Sequence, residues 1–142
     1  MKKLIIICIL LIVFYVPVFS QNIHKDSIKV NVIEFGSGGG FIGTSKNYVL
    51  AKTGELYSVE NILSDTNALV YLKKIKGCFV KKIFTYAKNK KIIDIVYNEP
   101  GNLYHYITLS FKNKTNNIVW GRSNSNPPEN IITLSTKLNK LL

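Results

Sequence analysis

Apolar and polar positions alternate in short runs through most of this chain, and in two places the period lengthens to that of a helix. Alternation predicts a first strand over 28–35 and a second over 44–52. Lys52-Thr53-Gly54-Glu55 reads as a tight turn into a third strand at 56–59, closing a hairpin. The polar stretch 60–67 is a connection, and 69–75 fits a short strand or a helical turn equally well. Phe79, Val80, Ile83, Phe84 and Ala87 then recur at helical spacing while Lys81, Lys82, Lys88 and Lys90 face elsewhere. A helix is predicted over 77–89, its apolar stripe laid on a sheet. The β-branched run 92–97 predicts an extended segment, and Asn98-Glu99-Pro100-Gly101-Asn102 a turn. Over 103–112, Leu103, His105, Ile107, Leu109 and Phe111 share one side of a strand; Tyr104, Tyr106 and Thr108 share the other. A turn at 113–116 leads into a partner strand over 117–121. Pro127-Pro128 opens a last helix with Ile131, Leu134, Leu138 and Leu141 as its apolar stripe.

Hairpin, helix, hairpin, helix is the order that results. It implies an α+β domain with an antiparallel sheet of four to five strands and the helices packed on one face. Between the first two strands lies Phe35-Gly36-Ser37-Gly38-Gly39-Gly40-Phe41-Ile42-Gly43, nine residues of which five are glycine and none is charged. Such a backbone can take positive φ or let a partner approach closely, so it is read as a wide hairpin loop.

The N-terminus changes the picture of compartment. Met1-Lys2-Lys3 is basic, 4–18 is almost wholly apolar, and Val18-Phe19-Ser20 suits signal peptidase. The expectation is a signal peptide over 1–20 cut between Ser20 and Gln21, a loose mature N-terminus over 21–27, and one domain over 28–142. An uncleaved anchor is the rival, but the apolar run is shorter than the ~20 residues that span a bilayer. Secretion or a periplasmic location follows. Cleavage leaves Cys78 as the sole cysteine, so no internal disulfide is expected, and Cys78 is read as a small buried hydrophobe.

The formal net charge of the full chain is +11, and it becomes +9 without Lys2 and Lys3. A field of that sign favours anionic lipid, glycan or nucleic acid as partners. The lysines are nevertheless spread along the sequence, and Arg122 is the single arginine, where a specific phosphate reader would use more.

Candidate chemistry is sparse. Gly38, Gly40 and Gly43 satisfy G-x-G-x-x-G, but a strand and a turn follow them where a dinucleotide site needs a helix, and no Lys-Ser/Thr follows as in a P-loop. No nucleotide cofactor is expected. His24 and His105 stand at no metal spacing, and neither is placed beside Cys78, so no metal site or nucleophile is assigned and no enzyme is expected. Tyr48, Tyr104, Tyr106 and Trp120 are read either as a stacking surface or as cross-strand pairs and core.

Three features together resemble a known family. The Ser37-Gly38-Gly39-Gly40-Phe41-Ile42-Gly43 segment follows the first strand, Tyr104-His105-Tyr106-Ile107 forms a later tyrosine-rich strand, and a helix over 128–142 closes the chain. This pattern resembles the emfourin-type small inhibitors of thermolysin-like proteases, and also a set of exported Bacteroidetes-type proteins with the same G-G-G-F loop. The resemblance implies a cystatin-like shape and a binding protein that inhibits a secreted protease. It differs in the leader and across 61–97. Gly38, Gly39, Gly40, Phe41 and Ile42 are the expected partner-binding residues, with the glycines giving close backbone approach and Phe41 an anchor.

Overall fold

Residues 23–24, 31–41, 43–61, 67–121 and 123–142 are described by a computed structural model. The expected leader, most of the expected loose N-terminus and the first residues of the expected first strand lie outside them. Ile23 and His24, inside the stretch expected to be loose, form a two-residue strand, β1 (Ile23–His24).

The strands that follow are β2 (Val32–Gly39), β3 (Thr44–Ala51), β4 (Glu55–Asn61) and β5 (Asn67–Lys74). Helix α1 (Gly77–Asn89) and a 3-10 turn (Ile92–Asp94) come next. They are followed by β6 (Asn98–Glu99), β7 (Leu103–Phe111), β8 (Lys114–Trp120) and helix α2 (Glu129–Asn139). The strands form one sheet in the order β1-β5-β4-β3-β2-β7-β8-β6. All pairs are antiparallel except β6–β8, so the sheet is mixed and has eight strands among the described residues. This corrects the expected four to five antiparallel strands. The α+β class stands. The extra strands arise because 69–75 extends to pair with β4, and because both chain segments beside the long strands add two-residue edges.

The two expected hairpins are also joined differently. β2 through β5 run as a four-strand meander, and β7 pairs with the free side of β2, from Gly39↔Leu103 to Val32↔Ser110. The polyglycine strand is therefore central, not an edge.

Period-two alternation divides each strand between two faces. Ile33 and Phe35 on β2, Leu50 on β3, Leu56 on β4, Ile107 and Leu109 on β7, and Ile118 and Trp120 on β8 point to the same side. Val80, Ile83, Phe84 and Ala87 of α1 and Ile131, Leu134 and Leu138 of α2 close over them as one core. Their i, i+3, i+4, i+7 spacing is what makes each helix amphipathic, and burial of that stripe holds it on the sheet. Phe79, read with the α1 stripe, stands about half out of the protein instead. A smaller cluster on the second face joins Val32, Val49, Ala51, Tyr57 and Leu69.

Two local expectations change. The run 92–97 is not extended throughout: Lys91 takes φ 50°, and the chain turns through the 3-10 turn. The Asn116 side-chain amide on β8 donates to the Ile95 carbonyl at 2.8 Å and the Ile92 carbonyl at 3.3 Å, pinning that turn to the sheet. Cys78 is exposed on the first turn of α1, not buried, because its position falls outside the apolar stripe. Among the described residues no helix is long and apolar enough to cross a membrane.

Candidate functional site

Much of the expected glycine loop is strand. Gly36, Ser37, Gly38 and Gly39 pair with β3 on one side and β7 on the other, so only 40–43 remain as a turn. Glycine is needed within the strand because tyrosines lie across it. A Cβ on Gly38 would sit 2.7 Å from the Tyr104 hydroxyl oxygen and 2.9 Å from its ring carbon Cζ. The Tyr104 ring thus covers a strand position that has no side chain of its own, replacing the packing that glycine forfeits.

At the end of the strand the demand is stricter. Gly39 has φ 103°, and a Cβ there would lie 1.9 Å from the Asn102 carbonyl oxygen. The next residue, Gly40, donates its N–H to that same oxygen at 2.8 Å. Gly43 N–H then donates to the Gly40 carbonyl at 3.0 Å, closing a four-residue turn. The hairpin tip is therefore bolted to the chain entering β7.

Phe41 stands in this turn with its side chain fully exposed. Beside it Leu103 is 68 % exposed, and a Cβ on Gly40 would come within 3.5 Å of the Leu103 side chain. An exposed Phe and an exposed Leu thus share one end of the sheet. Of the five expected partner-binding residues, Gly38 and Gly39 belong to the paired strand, Gly38 under Tyr104, while Gly40 and Phe41 stand in the turn. Ile42 lies outside the described residues. Sequence reasoning missed Leu103. It placed that residue on the core side of β7, but Leu103 lies outside the cluster that the helices cover.

The four aromatics read as a stacking surface or as core are split by the pleat. Tyr48 stacks on Phe35 (ring centroids 5.5 Å apart) and Trp120 stacks on His105 (5.7 Å), both on the helix side. Tyr104 and Tyr106 lie on the second face with Ser45, Asn47 and Asn117, around a shallow hollow of about 360 Å³. Burial, and then the nearby Glu34 carboxylate, pushes the Tyr106 hydroxyl well above the ordinary tyrosine pKa. That phenol stays protonated and is a hydrogen-bond donor, not a base.

Among the acidic side chains, Glu55 pairs with Lys74 and Asp94 with Lys114. Among the described residues no three His, Cys, Asp or Glu side chains are gathered so as to hold a metal ion. No family model matches the chain, and comparison with curated proteins yields no match.

Proposed function

We propose that this chain is an exported, non-catalytic binding protein that docks on a protein partner through the β2–β3 tip, and that the partner is a secreted protease. One observation carries the reading: a fully exposed Phe41 stands on a turn whose base is hydrogen-bonded to the rest of the sheet. Large exposed aromatics are the usual anchors of protein interfaces. A free glycine loop would lose much of its freedom on docking, which weakens binding. Here Gly36, Gly38 and Gly39, before the turn, are already held in two ladders, so they add little to the ordering cost. The N–H groups of Gly40 and Gly43 are already engaged within the protein, so what the turn offers an enzyme cleft is the Phe41 side chain on a narrow, side-chain-poor backbone. The inhibitor reading draws on the emfourin resemblance of the glycine segment, the tyrosine-rich strand and the closing helix.

The test is inhibition of a panel of secreted proteases, metalloproteases included, by the purified protein. Inhibition by the wild type is expected, with Phe41→Ala weakening it at least about tenfold, the scale of an interface anchor, while the melting temperature is unchanged. Leu103→Ala is expected to weaken it less. A wild-type protein that leaves every protease untouched overturns the inhibitor reading. Inhibition unaltered by both substitutions overturns the tip as the site.

A further inference from the structure

At the end of the sheet opposite the glycine tip, β5 passes into α1 next to the last turn of α2. The opposition follows from the strand path: β3 begins at the glycine turn and ends at the Thr53–Gly54 turn, where Ile75 N–H donates to the Gly54 carbonyl at 2.8 Å. Between these elements is a hollow of about 520 Å³. Lys73, Lys74, Lys76, Lys82, Lys137 and Lys140 line it, and no acidic side chain does. Its remaining lining is apolar: Ile75, Phe79, Ile83 and Leu141.

Three of the six ammonium groups are already engaged. Lys74 pairs with Glu55, Lys73 donates to the main-chain oxygen of Leu142 at 3.2 Å, and Lys137 sits 5.4 Å from the Tyr86 ring centroid. Lys76, Lys82 and Lys140 have no acidic partner among the described residues. Like charges crowded on one hollow repel one another, and an anion shared between them relieves that repulsion. Phe79, 53 % exposed at the mouth of the hollow, adds an apolar side chain where a simple phosphate site would have none.

We infer that this hollow is a docking site for an anionic phospholipid surface, with Lys76, Lys82 and Lys140 taking the head-group phosphates and Phe79 entering the apolar layer beneath them. Lysine suits such a surface because its stem lies along apolar area while the ammonium stays at head-group level. A basic cluster joined to an exposed aromatic supplies the two contributions that peripheral membrane binding needs, attraction to anionic lipid and burial of apolar area. The site is independent of the tip, since the two lie at opposite ends of the strands.

The experiment is flotation of the full chain with vesicles of phosphatidylcholine alone and of phosphatidylcholine mixed in equal parts with phosphatidylglycerol. The first arm measures whatever the apolar run 4–18 contributes regardless of lipid charge; the difference between arms reads the site. Partitioning is expected to favour the anionic vesicles and to weaken as salt rises. Lys76→Gln, Lys82→Gln and Lys140→Gln together are expected to lower it at least about tenfold. The matched triple Lys52→Gln, Lys88→Gln and Lys112→Gln carries the same net charge but lines a separate hollow beside Phe84 and Phe111. It is expected to lose less than about threefold. A Phe79→Trp variant should blue-shift its added emission on anionic vesicles only. Equal losses from the two triples, no preference for anionic vesicles, or no spectral shift at position 79 each overturn the proposal. Release of the bound protein by inorganic phosphate or duplex DNA at matched phosphate concentration also overturns it, assigning the lysines to phosphate of any source.

Discussion

Lys112 occupies a position that a lysine fills at a cost. It follows Phe111 in the two-residue turn that closes β7 on β8 through the Phe111↔Lys114 pair, and its φ is 54°. Side chains with a Cβ are disfavoured there, so Lys112→Gly is expected to raise stability by about 0.5–1 kcal/mol, read from urea unfolding with an unchanged slope. At Glu55 the argument is electrostatic. Hydrogen bonds from Lys74, then from Thr53, hold the carboxyl at a pKa of about 2, against an ordinary 4.5. A depressed acid stabilises the fold above its unfolded pKa, and the contribution drains away as pH falls from about 4.5 toward 2. Glu55→Gln should flatten that part of the stability profile and cost less than about 1 kcal/mol at neutral pH, because the pair is solvent-exposed. Single residues were also where sequence reasoning failed most plainly. Cys78 and Phe79 belong to the first turn of α1, before the helix settles on the sheet, and apolar character alone does not reveal that both stand outside the core.

Both helices were legible from their spacing because each depends on a single uninterrupted stripe. The predicted 77–89 coincides with α1, and α2 ends three residues before the predicted limit. In α2 the side chains of Ile131, Leu134 and Leu138 are wholly buried, and they are its main hold on the sheet. Leu134→Ala is accordingly expected to cost about 2–5 kcal/mol in unfolding free energy, while the partly buried Leu141 tolerates the same change far better. Strands were legible where alternation was strong, as in β7, whose two faces match the sequence residue for residue. The segment 69–75 stayed undecided because its conformation is set by antiparallel pairing with β4, a long-range contact. The 3-10 turn was missed for the same reason. Asn116, which secures it, is over twenty residues further along the chain. The glycine segment was legible as a hairpin but not as a strand, since low propensity was overridden by two flanking ladders and by Tyr104 lying over Gly38.

At the scale of the molecule, strand order does what no local pattern announces. By pairing β7 with β2, the sheet places its glycine-rich strand in its interior and sets the exposed Leu103 beside the glycine turn. The same order sends β5 to the far side and gathers lysines scattered over 73–140 around one hollow. Their sequence spacing gives no hint of this, since along the chain the lysines are simply spread out. β3 joins the two ends. At roughly 3.3 Å per residue, its eight residues make a strut about 26 Å long between Phe41 and the lysine cleft. A molecule resting on a bilayer by its ammonium groups would carry the phenylalanine clear of the head-group layer, so that one small domain could be tethered and still reach an enzyme working above the membrane.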